Sequence, residues 1–262
     1  MSAVALPALS LWRREVVRFV RQPNRIVGAI GSPLLFWLLI GSGVGRSFQG
    51  MEGKDVSYLA YVFPGILVMI VLFTAVFSTI SIIEDRREGF LQSVLVAPVS
   101  RGVIVLGKVL GGAFLAFLQA MILLALAPTV GIHLTVGSVL GVMAVIWVIG
   151  MELTSLGFFI AWRMQSIQGF HAIMNLLLLP MWLLSASVFP ASGASPWVGW
   201  LIRLNPLTYG VAAIRHLLGG VEPGQAGVPS LTLSLLVTLG GAALLYLGAT
   251  WAARGHTSGD LQ

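Results

Sequence analysis

The sequence predicts an all-α integral membrane protein with six transmembrane helices. Two observations carry that expectation. The chain has 262 residues and is 57% hydrophobic, with only 9% charged residues, where a soluble domain carries about 25%. Several apolar stretches also reach the ~20 residues that a helix needs to cross the hydrocarbon core. No soluble domain fits between those stretches, so residues 1–262 read as one transmembrane domain. The net charge of +6 points to arginines at one membrane surface, and nucleic acid is not an expected partner. The chain has no cysteine, which leaves no disulfide framework and no thiolate metal site.

Residues 1–25 come first. In "SLWRREVVRFVR" (10–21), Trp12, Val16, Phe19 and Val20 share one helical face, and Arg14, Arg18 and Arg21 share the other. This is an amphipathic helix expected to lie along an anionic membrane surface and to end at Pro23. Its arginines, and Pro7 before them, are unlike a cleavable signal.

Spans one to five occupy residues 26–189, at about 26–45, 58–83, 103–127, 137–161 and 170–189. Residues 190–230 form an outer connection, 231–253 the sixth span, and 254–262 a tail. Pro33, Pro64 and Pro180 fall inside spans and should bend them without splitting them, because neighbouring helices can satisfy the freed backbone groups. Of the 15 Lys and Arg residues, only Arg46, Lys54, Arg203 and Arg215 fall on the side opposite the N-terminus. That asymmetry predicts both termini inside.

The outer connection is not a polar loop. "WVGWLIRLNPLTYGVAAIRHLLGG" splits at Asn205-Pro206 into two short apolar helices. Neither can span, so both should lie at the outer interface or dip in and return. Trp197, Trp200 and Tyr209 would then sit at headgroup depth.

Enzymatic chemistry is not expected. Gly102–Val109, "GVIVLGKV", copies all but the last position of a phosphate-binding loop. It lacks the metal-binding hydroxyl and runs into a span, so no strand–loop–helix is available. Gly107 with Gly111, and Gly41 with Gly45, instead read as close helix contacts, and Lys108 as a side chain reaching back to the headgroups. The four histidines are scattered, and no metal site is expected. Glu152 lies inside the fourth span and Asn175 inside the fifth. An intramembrane carboxylate is a proton relay, a contact for cationic cargo, or a structural hydrogen bond to another helix. Asn175 reads as interhelical glue.

The densest charge in the chain is Glu84-Asp85-Arg86-Arg87-Glu88, followed by Gly89, Phe90 and Leu91. Phe90, Leu91, Val94 and Leu95 share one helical face before Pro98. Residues 84–97 are therefore expected as a short amphipathic helix tied to spans two and three. A soluble partner could grip it and move both spans.

"EDRREGFLQSVLVAPVSRGVIVLGKVLG" resembles the signature of ABC-2 type transport permeases, matched by Glu84 or Asp85, Gly89, Leu91, Leu95, Pro98, Val99, Ser100 and Arg101. "SVFPASGASPWVGWLIRLNPLTYGVAAIRHLLGG" is similar to the family's series after the fifth span, and "LWRREVVRFVRQP" to its N-terminal helix. The resemblance implies a permease subunit of a bacterial exporter in the cytoplasmic (inner) membrane. Two copies would pair with two separate cytoplasmic ATPase subunits, and ATP and Mg would be bound there, with no cofactor on this chain. It implies that residues 84–91 (Glu84, Asp85, Arg86, Arg87, Glu88, Gly89, Phe90, Leu91) couple to the ATPase. The interfacial helix, with Trp12, Arg14, Arg18 and Phe19, would contact it too. Pro190, Trp197, Asn205, Pro206, Tyr209 and Arg215 would close the outer gate. The expected cargo is an amphiphile, drug-like or lipid-linked. Two other readings stay open: a proton-coupled secondary transporter using Glu152, and a membrane anchor or assembly factor.

Overall fold

The computed structural model describes residues 5–21, 27, 31, 34–35, 37–39, 58–96, 99–220 and 227–255. Expectations for the first span as a whole, Pro23, Pro33, Gly41 with Gly45, Pro98 and the tail beyond 255 lie outside the described residues.

Among the described residues every regular element is helical. α1 is Ala5–Val20, α2 Tyr58–Ser78, α3 Ile80–Arg87, α4 Phe90–Leu95, α5 Arg101–Leu124 and α6 Val136–Ala161. α7 is Ile167–Leu183, α8 Pro196–Leu204, α9 Pro206–Leu217 and α10 Leu231–Arg254. The starts follow from capping chemistry. Thr135 and Ser138 form a reciprocal box at α6. The hydroxyls of Ser166 and Ser230 accept from the first turns of α7 and α10. Pro196 and Pro206 stand at the first turns of α8 and α9, where no N–H is needed. Pro64 and Pro180 stay inside α2 and α7, as expected.

Four of these rods are long and apolar enough to cross a membrane: 58–87, α5, α6 and α10. α2 and α3 form one 30-residue rod, tightened at its joint, where Thr79 and Ile82 N–H donate to carbonyls three residues back. This rod is the core. Of its most apolar stretch 83% is buried, against 11% for α10 at the periphery. α5 and α6 pack on the rod, α10 packs on α6, and α7 rests on α2.

Two expectations need correction. The fifth span does not run to 189, because α7 has only 17 residues and the chain leaves the helix at Leu184. Residues 84–97 are not one helix. The charges continue α2 as α3, and Gly89 at φ 74° breaks the rod before α4, a left-handed turn that glycine adopts without a Cβ clash. The two short apolar helices expected around Asn205-Pro206 are present and differ in burial: Leu207, Val211, Ala213 and Ile214 of α9 are buried in the bundle against α6 and α10, while α8 exposes Trp197, Trp200, Leu201 and Leu204.

α1 lies along α5. The close contact expected at Gly107 and Gly111 is present, and its partner is α1. A Cβ on Gly107 would sit 2.7 Å from Leu11 Cβ, and one on Gly111 2.8 Å from Glu15 Cβ. Trp12 completes the seam with an edge-on contact to Phe114, centroids 5.1 Å apart. Gly107→Val should therefore detach α1 at a cost of about 1–3 kcal/mol, typical of overpacking. Faster trypsin cleavage after Arg13 and Arg14 than in the parent protein would report it.

Candidate functional site

The charge cluster is a buried junction. Asp85 is completely buried. Arg14 grips its carboxylate with both terminal nitrogens, Nη2 at 2.7 Å and Nη1 at 2.8 Å. Arg18 Nη1 reaches it at 3.0 Å, and Lys108 Nζ donates to it as well. Lys108 also donates to Glu15 Oε1 at 2.5 Å and to Ser81 Oγ at 3.1 Å. Glu84 pairs with Arg18 at 2.9 Å, and Glu88 with the same group at 3.4 Å. Three elements meet here: α1, the end of the α2–α3 rod, and α5. The strongest members are the most buried. The Arg18–Glu88 pair is largely in solvent and contributes little. Burial alone would pull the Arg14 guanidinium down; its hydrogen bonds and charge interaction with Asp85 outweigh that and hold it above its ordinary value.

The two arginines of the cluster turn the other way and cap helix ends. Arg86 donates to Trp162 O at 2.6 Å and Met164 O at 3.0 Å, and Arg87 to Gln165 O at 2.9 Å. These carbonyls lie where α6 ends and would otherwise lack donors. Arg101 donates to Ala253 O at the end of α10 at 2.6 Å. Cations at helix C-termini also meet the negative end of the helix dipole. Acids bind α1 and α5, while bases bind α6: that division explains why charges of both signs are packed into five residues.

Several expected roles change with this geometry. Arg14 and Arg18 find an anionic surface inside the chain, in Asp85, Glu84 and Glu88. Lys108 does not reach the headgroups; it is 5% exposed and held by two carboxylates. Asp85 and Leu91 are buried and offer no outward surface, and Phe90 carries the Arg14 guanidinium 3.7 Å above its ring. Outward positions are Arg87, Glu88, Gln92, Ser93 and Val96. Trp12 and Phe19 are half-buried. Sequence reasoning missed Glu15 as a partner for Lys108; nothing in the sequence places the two, 93 residues apart, together.

Inside the bundle, Glu152 is 2% exposed and its Oε1 has no hydrogen-bond partner among the described residues. It lies against Gly241 of α10. The neighbouring hydroxyls of Thr154, Ser155 and Thr238 donate to carbonyls of their own helices. A buried bond that sequence reasoning did not identify joins Thr74 Oγ1 to Gln119 Oε1 at 2.5 Å. Asn175 is exposed on the outer face of α7.

At the tryptophan-rich end, Asn205 caps α9 through Leu207 N and donates Nδ2 to Met181 O at 2.5 Å. Arg215, 5% exposed, donates to Ala186 O at 3.0 Å. Pro190 and Pro206 start short helices, Tyr209 OH donates to Arg203 O at 2.9 Å, and Trp197 is 69% exposed. Asn205 and Arg215 are thus brought together on α7's end; Trp197 is not.

Fold and junction define a multi-pass membrane protein whose chemistry is mechanical, with charge used to join helices. Residues 8–218 match the family described as ABC-2 type transporter. The chain belongs to the ABC-2 type transporter family and is a membrane permease of that type. It is similar to Nodulation protein J of Neorhizobium galegae, with 27% identity over 94% of this chain and 92% of that protein. It is also similar to Nodulation protein J of Rhizobium meliloti (strain 1021), with 27% identity over 82% of this chain and 84% of that protein. A third similar protein, named ycf38, from Cyanophora paradoxa, is 27% identical over 79% of this chain and 72% of its own length. Family and long apolar helices place the chain in the bacterial inner membrane as a non-catalytic transport subunit. Family membership implies a partner ATPase subunit.

Breaking the junction is expected to cost more than its net worth. Asp85→Asn leaves Arg14 and Lys108 short of a buried counter-charge, a loss of about 3–5 kcal/mol. An Asp85→Leu/Lys108→Met pair should recover part of it. Thermal unfolding of the two purified variants beside the parent protein gives the comparison.

Proposed function

We propose that this chain is the permease half of an ATP-driven exporter. Two copies form the translocation pathway, and two separate ATPase subunits grip the charged end, which faces the cytoplasm. Residues 1–262 act as one transmembrane domain. α1 (within 1–25) lies at the inner surface, spans one to five lie within 26–189, and apolar helices within 190–230 close the outer end. The sixth span covers 231–253, and residues 254–262 lead back into the cytoplasm. The cargo is an amphiphile, drug-like or lipid-linked.

The observation that carries this reading is the junction. Residues 84–91 are welded to α1, α5 and the end of α6 at once, and α4 projects beyond them after the Gly89 turn. A push on α4 therefore reaches several membrane helices together. Docking uses the outward edge, Arg87, Glu88, Gln92, Ser93 and Val96, and the buried Asp85 and Leu91 transmit it. Apolar contacts supply affinity, and rim charges set orientation and association rate. Val96→Asp with Arg87→Glu should leave insertion and α1 packing intact and reduce ATPase capture in a pull-down at least tenfold. Full capture with wild-type transport per ATP hydrolysed would remove the coupling role.

For the second copy, α7 offers one face. Phe170, Met174, Leu178 and Trp182 face inward, and the opposite side exposes Ile173, Leu176, Leu179 and Asn175. An amide facing hydrocarbon lacks partners that another copy's helix provides. Asn175→Cys is expected to crosslink two copies in membranes under mild oxidation, whereas Leu244→Cys on the uniformly apolar face of α10 should not. Equal crosslinking at both positions would reject α7 as the dimer face.

A further inference from the structure

α6 ends at Ala161, and Arg163 stands just beyond it, at the foot of a rod long enough to cross a membrane. Its side chain is exposed and still held. The guanidinium lies 5.0 Å from the ring centroid of Phe159, one turn back on α6, and 5.7 Å from that of Trp251 on α10. Both separations are within the ~6 Å at which a ring face attracts a cation. Aromatic residues of two helices therefore fix one cation where the span meets the headgroups.

The other partners at this end are already taken. Glu15 and Asp85 hold Lys108, Asp85 also holds Arg14, and Glu84 and Glu88 hold Arg18. The carbonyls of Trp162, Met164 and Gln165 accept from Arg86 and Arg87, and that of Ala253 from Arg101. Among the described residues nothing accepts a hydrogen bond from the Arg163 side chain. Its N–H donors are left for a group outside the chain.

Toward the bilayer centre the surface turns apolar. Trp251, Leu247 and Leu244 recur on one face of α10, and all three are exposed. α10 carries no side chain at Gly248, where a Cβ would meet the Phe159 ring at 3.9 Å, so the two helices close up beneath the cation. Only 11% of the most apolar stretch of α10 is buried.

We propose that Arg163, clamped by Phe159 and Trp251, binds the phosphate of an anionic phospholipid whose acyl chain lies along Leu247 and Leu244. The guanidinium fork matches phosphate oxygens in pairs. The rings have already restricted the side chain, so binding forfeits little rotamer freedom. A cation set directly beside an apolar stripe complements the two parts of a lipid, the anion at the interface and the hydrocarbon inward. The stripe carries no polar group of the kind that Asn175 offers on α7, which favours lipid over a second copy. The bound lipid touches α6 and α10 together and braces the peripheral rod. That it comes from the cytoplasmic leaflet rests on the orientation proposed above; the site itself is independent of the exporter reading.

The test uses the full chain, purified in detergent with equal amounts of phosphatidylglycerol and phosphatidylcholine of the same acyl chains. Mass spectrometry of the intact protein counts the lipids retained. The parent protein should retain phosphatidylglycerol about fivefold over phosphatidylcholine. Arg163→Gln should bring the two lipids level. Arg163→Lys should recover only part, because an ammonium lacks the fork and stacks less well. Trp251→Leu keeps the charge and the apolar surface and should lose about half of the preference. Arg13 is exposed on α1 with no ring or carboxylate beside it among the described residues, and Arg13→Gln should keep the parent ratio. An equal loss in Arg13→Gln means general charge attraction, and an unchanged ratio in Arg163→Gln means no site; either result overturns the proposal. If Arg163→Gln fails to fold, Trp251→Leu still decides, and a full parent ratio there rejects the clamp. Displacement of the lipid by inorganic phosphate at the same concentration would make the occupant a free anion. Crosslinking of two copies through Leu247→Cys in membranes would give the face to a second copy. Each of these also overturns the lipid. Failure of the exporter reading would appear elsewhere, as loss of ATPase capture, with these ratios untouched.

Discussion

One buried carboxylate organises the charged end of this protein. Asp85 accepts from Arg14 and Arg18 of α1 and from Lys108 of α5, and so ties both helices to the end of the rod. Remove that charge and α1 loses its hold on the rod, while Lys108 keeps only Glu15 and Ser81. Such a network adds little net stability over well-packed apolar residues. What it gives is register: α1 fits α5 in one position along the Gly107–Gly111 seam, because only there do Glu15 and Lys108 meet.

Much of the fold was legible in the sequence, for a physical reason. Hydrocarbon demands long apolar runs, and α2, α5, α6 and α10 begin and end within a few residues of where those runs do. The Asn205-Pro206 break also falls where expected, since Pro206 can open α9 but could not continue α8. The limits are equally physical. An amphipathic pattern shows that α1 has a charged face and leaves open whether lipid phosphates or Asp85, 71 residues away, will meet it. The apolar run through 189 continues past the helix that forms, because hydropathy does not register the side chains that capture its carbonyls.

The candidate site was legible as a place and misread as a surface. Five charges in a row look like a solvated edge. In the fold, helical geometry sends Asp85 toward α1 and α5, and Arg86 toward the end of α6. Leu91 follows the acids inward. The exposed remainder is smaller and more polar than the sequence suggests. The two ends of the protein thus use one device in opposite ways: at one, cations join acids and cap helices that are complete; at the other, Arg215 and Asn205 hold a helix end that is not.

The junction also bears on the order of synthesis. α1 is translated long before Asp85 and Lys108, its partners 71 and 93 residues downstream of Arg14 and Glu15. While α2 and α5 are still being made, its arginines have only the anionic lipid surface to bind. A headgroup contact of the kind the sequence suggests would serve as a waiting state in biogenesis, with α1 exchanged from lipid to protein once α5 has inserted. A helix that must make that exchange has reason to be amphipathic without being too apolar to leave the bilayer surface.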